Sequence, residues 1–153
     1  MDWGHLLFKF DGRINRAKFW LVWLLFAATY IALWIVGIAT ESMTFQTFGS
    51  ILILVMLFSI LAAGIKRLHD RNKPGWYLVL FYVLPTLLLL VGIKIDAALS
   101  GPAWSSTVTA LLAFAIIVWG FVEMGCLRGT IGVNQYGPDP VAPVIVPPIR
   151  TPI

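Results

Sequence analysis

The residues best equipped for chemistry lie together in "RLHDRNKPGWY", residues 67–77 of an otherwise apolar chain. Arg67, His69, Asp70, Arg71 and Lys73 all fall within its first seven positions. An imidazole beside a carboxylate could move protons, and the guanidinium groups around it could hold a phosphate. Other chemistries fit less well. The remaining histidine is His5 and the lone cysteine is Cys126, and no two such residues have the spacing of helical zinc ligands, so no metal is expected. No serine sits in a nucleophile elbow that would complete a Ser-His-Asp set. His69 therefore reads as a structural hydrogen-bonding residue rather than a catalyst.

If the helix before this stretch continues past Ile65, Lys66 and Asp70 are i,i+4 neighbours and Arg67 and Asp70 are i,i+3 neighbours. The connection Asn72 to Gly75 then reads as a type II turn built on Pro74 and Gly75.

Two more polar stretches stand out. In "FDGRINRAKFW", residues 10–20, Asp11-Gly12 reads as a turn and Asn15 as a helix N-cap. Arg16 and Lys18 follow in the first helical turn, where the dipole disfavours a cation by about 0.3–1 kcal/mol. Lipid phosphates or a protein carboxylate would offset that cost. In "RGTIGVNQYGPDP", residues 128–140, three glycines and two prolines force a non-helical path that carries Asn134, Tyr136 and Asp139. It lacks the spacing of a phosphate loop.

Three motifs in order, "F-x-G-R-x-x-R-x-x-F-W" at Phe10–Trp20, "R-L-H-D" followed by "G-W" at Arg67–Trp76, and "G-x-x-G-x-N-x-Y-G-P-D-P" at Gly129–Pro140, resemble the domain of unknown function 805 family. The resemblance covers about residues 3–140, departing at Asn15, where Ser or Ala is familiar, and at Lys73-Pro74, where a small residue often stands. It implies a four-helix bacterial inner-membrane protein. It brings no settled activity and no catalytic residues.

The elements that must position these motifs are apolar. The chain is 59% hydrophobic and 12% charged, against about 25% charged in soluble domains, and its mean hydropathy is +0.89. Four windows, Phe19–Ala39, Phe48–Ile65, Trp76–Ile95 and Ser105–Leu127, approach or exceed the roughly 20 residues needed to cross a bilayer. They lack the alternation of barrel strands, so the fold class is all-α, a polytopic membrane protein of four transmembrane helices. The first window is too long for a cleaved signal core. Residues 1–18 form an interfacial segment with Trp3, Leu6, Leu7 and Phe10 on one face of a short helix, and residues 19–140 the membrane domain. Residues 141–153, with four prolines, read as a disordered tail.

Ten of the eleven basic residues flank the windows on one side, the exception being Lys94. The positive-inside rule puts both termini and the middle loop in the cytoplasm. The net charge of +4 is therefore matched to a membrane surface, and no nucleic acid is expected. Trp20 and Trp76 fall at the inner interface and Trp34 and Trp104 at the outer one. Ala28-x-x-x-Ala32 and Ser59-x-x-x-Ala63 offer small faces for helix contact. Pro85 interrupts the third window and frees the carbonyl of Phe81, which predicts a kink or a polar spot.

These placements predict a cytoplasmic polar cluster of Arg13, Arg16, Arg67, His69, Asp70, Glu123, Asn134, Tyr136 and Asp139, shaped by turns at Gly12, Pro74, Gly75 and Gly137. Glu123, the one acidic residue within a window's interior, should face the bundle and meet Arg67, Lys66 or His69. The expected role is a non-enzymatic scaffold or accessory protein that needs no cofactor. Its cluster would bind anionic phospholipid, a membrane-protein partner or a second copy. Two alternatives stay open. One is a small transporter or channel subunit, although its windows hold few polar residues. The other is an enzyme acting on a lipid or polyprenyl phosphate, with Arg13, Arg16 and Arg67 on phosphate and His69-Asp70 in proton transfer.

Overall fold

A computed structural model describes residues 2–40, 42–99 and 104–141. The expected disordered tail, beyond Val141, lies outside the described residues. A short helix, α1 (Trp3–Phe8), is capped by Asp2, whose carboxylate accepts the His5 N–H at 3.1 Å. Asn15 does cap α2 (Arg16–Thr40), accepting the Lys18 N–H at 3.0 Å. Ser42 caps α3 (Met43–Asp70), accepting the Phe45 N–H at 3.3 Å. A π-helical turn, Val79–Val83, leads into α4 (Leu84–Leu99). The last long helix, α5 (Trp104–Phe121), ends in a second π-helical turn, Val122–Cys126. No strand occurs among the described residues, only one isolated bridge between Asn134 and Gly137.

Four helical stretches, the two π turns included, are long and apolar enough to cross a bilayer. Their outward faces carry exposed Leu24, Ile31, Ile35, Leu54, Leu111 and Phe114. In water an apolar surface of this extent would drive association, whereas hydrocarbon matches it. At 28 residues α3 is about 42 Å long, against roughly 30 Å of hydrocarbon. It therefore carries Lys66 to Asp70 on its last turns as helix, beyond the apolar stretch read from sequence.

Within the bundle α2 lies along α3, α4 along α5, and α1 against α3. The contact between α4 and α5 is close at Gly92, where a Cβ would stand 2.0 Å from the Thr109 Oγ1. Asp96 on α4 accepts the Ser105 and Ser106 N–H groups at 3.1 and 2.9 Å, anchoring the start of α5 with a carboxylate. Buried apolar residues gather towards the end where the motifs meet: Leu6, Ile14, Phe19, Leu68, Phe81 and Met124. Of the two small faces, Ser59 and Ala63 are buried, while Ala28 and Ala32 face outward.

One local expectation is corrected. The turn after α3 is not type II, because Gly75 does not take a positive φ; Asn72 does, at 57°. The Asn72 N–H donates to the His69 carbonyl and the Lys73 N–H to the Leu68 carbonyl, both at 2.9 Å, which makes a Schellman cap with Asn in the left-handed position. Pro74 then opens the next helical turn. At Pro85 the missing donor is accommodated by the preceding π turn, whose wider ring has the Leu84 N–H donating to Val79.

Candidate functional site

The motifs converge at one end of the bundle, on the last turn of α3. Asp70 is its hub. The Arg13 Nε donates to Asp70 Oδ1 at 3.0 Å, and Arg67 Nη1 donates to Oδ2. The side chains of Arg13, Arg67 and Asp70 are 1%, 0% and 4% exposed, so two cations share one buried carboxylate. The Asp70 carbonyl in turn accepts both the N–H and the hydroxyl of Thr130, at 2.8 and 3.0 Å. This docks the third motif onto the second. Gly129 is required there, since a Cβ would stand 2.0 Å from Asp70 Oδ2.

Most of the remaining donors go to main-chain carbonyls. A helix leaves its last four carbonyls without intrahelical partners. Here five in succession are met from other elements. Arg67 Nε donates to Met124 at 2.7 Å, Trp20 Nε1 to Gly125 at 3.1 Å and Arg16 Nη1 to Cys126 at 2.7 Å. Arg67 Nη2 reaches Leu127 and Arg71 Nη1 reaches Arg128. Cations at the negative end of a helix are favoured. This relieves Arg16 of its unfavourable place at the start of α2: a helix C-terminus supplies the compensation, not a carboxylate. Arg13 gathers the following loop in the same way, donating to Gly132 at 2.7 Å, to Gly137 at 3.2 Å and to Thr130. Buried Lys66 donates to the His5 and Leu6 carbonyls and so closes α1 onto α3.

Glu123 is buried and faces the bundle, but its partners are Arg71 and Lys73, each at 3.0 Å, and not Arg67, Lys66 or His69. Lys66 is committed to carbonyls, and Arg67 to carbonyls and Asp70. His69 turns elsewhere: its Nδ1 donates to the Gly12 carbonyl at 3.3 Å, and its ring stacks on Tyr136 with centroids 3.8 Å apart. Sequence neighbours on a helix do not face each other. His69 and Asp70 accordingly point to different partners. Asn134 donates from Nδ2 to the His69 carbonyl and the Thr130 hydroxyl, both at 2.9 Å. Asp139 accepts the Val141 and Gly132 amides, which hold its carboxyl below the usual range. Gly12 and Gly137 have φ of 83° and 129°, the left-handed region that their turns require. At Gly75, a Cβ would press on Ile65 at 3.1 Å.

The geometry thus joins all nine residues of the sequence-read cluster to one network, Glu123 through Arg71. It adds Trp20, Lys66, Arg71, Lys73, Gly129 and Thr130. Arg71 and Lys73 were visible in the same polar stretch. Trp20 and Thr130 bind through main-chain carbonyls, which no side-chain pattern announces. Among the described residues there is no grouping of three or more potential metal ligands, and no fully buried side-chain nitrogen or oxygen lacks a partner.

Two cavities border the network. A cleft of about 440 Å³ is lined by Asn15, Arg16, Arg67, Arg128 and Asp139. An apolar groove of about 500 Å³ runs between α2, α4 and α5, past Trp20, Trp23, Phe81, Leu89, Ile117 and Met124.

The family described as "Protein of unknown function (DUF805)" matches residues 7–138, from α1 to the loop that Arg13 gathers. The uncharacterised protein YiiR of Escherichia coli K12 is 31% identical over 139 residues, which cover 87% of this chain and 86% of YiiR. The inner membrane protein YhaH of the same organism is 27% identical over 150 residues, covering 92% of this chain and 97% of YhaH. No solved structure matches the chain. Four bilayer-length helices and an inner-membrane relative point the same way: the chain belongs to the DUF805 family and is a multi-pass inner-membrane protein.

Proposed function

We propose that this protein is a non-enzymatic scaffold or accessory protein of the inner membrane, with the motif end on the cytoplasmic side and resting on anionic phospholipid. One observation carries the reading: the network is complete in hydrogen bonds but not in charge. Among the described residues Arg13, Arg16, Lys66, Arg67, Arg71 and Lys73 outnumber Asp70, Glu123 and Asp139 in it, and direct ion pairs reach only Asp70 and Glu123. Main-chain carbonyls satisfy the guanidinium donors without cancelling their charge. The surplus is matched by headgroup phosphates, each basic residue near an anionic leaflet being worth about 1 kcal/mol. The orientation follows from the basic residues at this end.

Protein purified in mild detergent is expected to be enriched in phosphatidylglycerol or cardiolipin relative to the membrane it came from. Washing at about 1 M salt, where the Debye length is near 3 Å, should remove most of that excess. A lipid composition equal to that of the membrane would overturn the reading. For orientation, a reporter fused after Pro140 should read cytoplasmic and one inserted near Thr44 periplasmic.

A second reading, a protein partner on the same face, is favoured by Ile131 and Val133, which stand bare on the loop at 77% and 82% exposure. Crosslinking from Val133 in membranes should then return a discrete adduct.

A further inference from the structure

We propose that the cleft and the groove together hold one phospholipid with an anionic, hydroxyl-bearing headgroup, of the phosphatidylglycerol kind. Its phosphate would sit between Arg16 and Arg128, and one acyl chain would lie in the groove beyond Trp20. This rests on the reading that the face engages anionic lipid. It goes further in naming a single built site.

The two cavities occupy successive turns of α2. Arg16 lines the cleft and Trp20 the groove, four residues or about 6 Å further along the helix. That puts a polar chamber at the interface and an apolar one directly deeper in the bilayer, the order in which a lipid presents headgroup and chain. The groove runs along α5 from Met124 to Ile117, seven residues or about 10 Å, which suits the upper part of an acyl chain in one leaflet. Its lining is aromatic and aliphatic apart from Thr86, whose hydroxyl donates to the Tyr82 carbonyl, and the indole nitrogen of Trp20 is turned away to the Gly125 carbonyl. Little but hydrocarbon is presented to an occupant.

The cleft explains the headgroup. Arg67 and Asp70 line it as a bonded pair, with Asp70 shared by Arg13 behind the lining. The lining holds Arg16, Arg67 and Arg128 against Asp70 and Asp139, one positive charge in excess before Arg13 is counted. A phosphodiester of charge −1 balances it. Asp139 keeps acceptor capacity beyond its two amide bonds, since a carboxylate has about four lone-pair sites. It would accept from a headgroup hydroxyl. A zwitterionic ethanolamine lipid would also satisfy Asp139 but would leave the cleft's excess charge unbalanced, so it should bind more weakly.

Native mass spectrometry of the protein from mixed phosphatidylglycerol and phosphatidylethanolamine nanodiscs tests this. One retained phosphatidylglycerol per chain is expected. Arg128→Gln should cut its preference over phosphatidylethanolamine about five-fold, the effect of one basic residue at the surface. Leu89→Trp, which fills the groove from a partly exposed position, should lower retention of both lipids. Arg16→Gln also removes the Cys126 cap, so the charge is tested with Arg128→Gln, whose side chain makes no cap. If general anionic enrichment persists but neither Arg128→Gln nor Leu89→Trp changes the single adduct, the built site is refuted while the broader reading stands. If no anionic enrichment is seen at all, both fail. A phosphatidylethanolamine adduct favoured over phosphatidylglycerol and lost on Asp139→Asn would overturn the headgroup assignment.

Discussion

Arg13 and Asp70 meet at 3.0 Å across 57 residues of chain, both buried, and the same carboxylate holds Arg67 three residues before it. Removing that charge strands two guanidinium groups away from water. Breaking one partner of a buried pair costs about 3–5 kcal/mol, and the carbonyl bonds that Arg13 and Arg67 keep do not restore neutrality. Asp70→Asn should therefore lower the unfolding midpoint in detergent steeply. Arg13→Lys should cost less than Asp70→Asn but still more than about 1 kcal/mol, because an ammonium cannot span Asp70 and three carbonyls as the planar fork does. Equal stability of Asp70→Asn and the parent protein would contradict the assignment of Asp70 as the hub.

A second expectation separates crowding from backbone strain. At Gly129 the space for a Cβ is taken by the Asp70 carboxyl, with Oδ2 at 2.0 Å and Cγ at 2.4 Å. At Gly132 φ is +80° but nothing lies within 4 Å. Gly129→Ala should displace Asp70 and approach the effect of losing it. Gly132→Ala should cost only about 1–2 kcal/mol of left-handed strain. A reversed order in thermal melts would show that the loop docks on α3 in some other way.

Much of this was legible in the sequence, and the failures have physical causes. The spans, the Asn15 cap and the short first helix follow from local patterns, because lipid forces each long apolar run to satisfy its own backbone. The convergence of the three polar motifs followed from topology. The partners of Glu123 did not, because a helical wheel assumes a regular turn. Glu123 sits inside the π turn Val122–Cys126, whose wider ring changes the direction of every side chain on it. The carbonyl ladder from Met124 to Arg128 left no trace either, since main-chain acceptors are the same in every sequence.

The end of α3 offers a further check. Asn72 holds the left-handed position of a Schellman cap at φ 57°, where sequence suggested that Gly75 would make the turn. Glycine suits this position as well as asparagine does, so Asn72→Gly should be neutral or slightly stabilising. A β-branched side chain is penalised there by about 1–2 kcal/mol, and Asn72→Val should show it. The cap also sets the direction of Lys73, so Asn72→Val should weaken the Lys73–Glu123 pair as well. If Val and Gly melt alike, the cap does not hold this turn.

The pairing of Glu123 can be measured by double-mutant cycles, which separate its true partner from the one that sequence suggested. Arg71 Nε lies 3.0 Å from Glu123 Oε1, with the Arg71 side chain 25% exposed and Glu123 6% exposed. Contacting charged residues typically couple by about 0.5–3 kcal/mol. Partial exposure of Arg71 and the shared bond to Lys73 put this pair near the lower half of that range. Arg67 donates to Met124, Leu127 and Asp70 rather than to Glu123. Its cycle with Glu123 should therefore close to within about 0.5 kcal/mol, as for independent sites. Glu123→Gln, Arg71→Gln and Arg67→Gln, alone and in pairs, would be compared by denaturation in one detergent. Coupling to Arg71 above coupling to Arg67 is the expected result. The opposite order would return Glu123 to Arg67 and place the end of α5 about one residue out of register with α3.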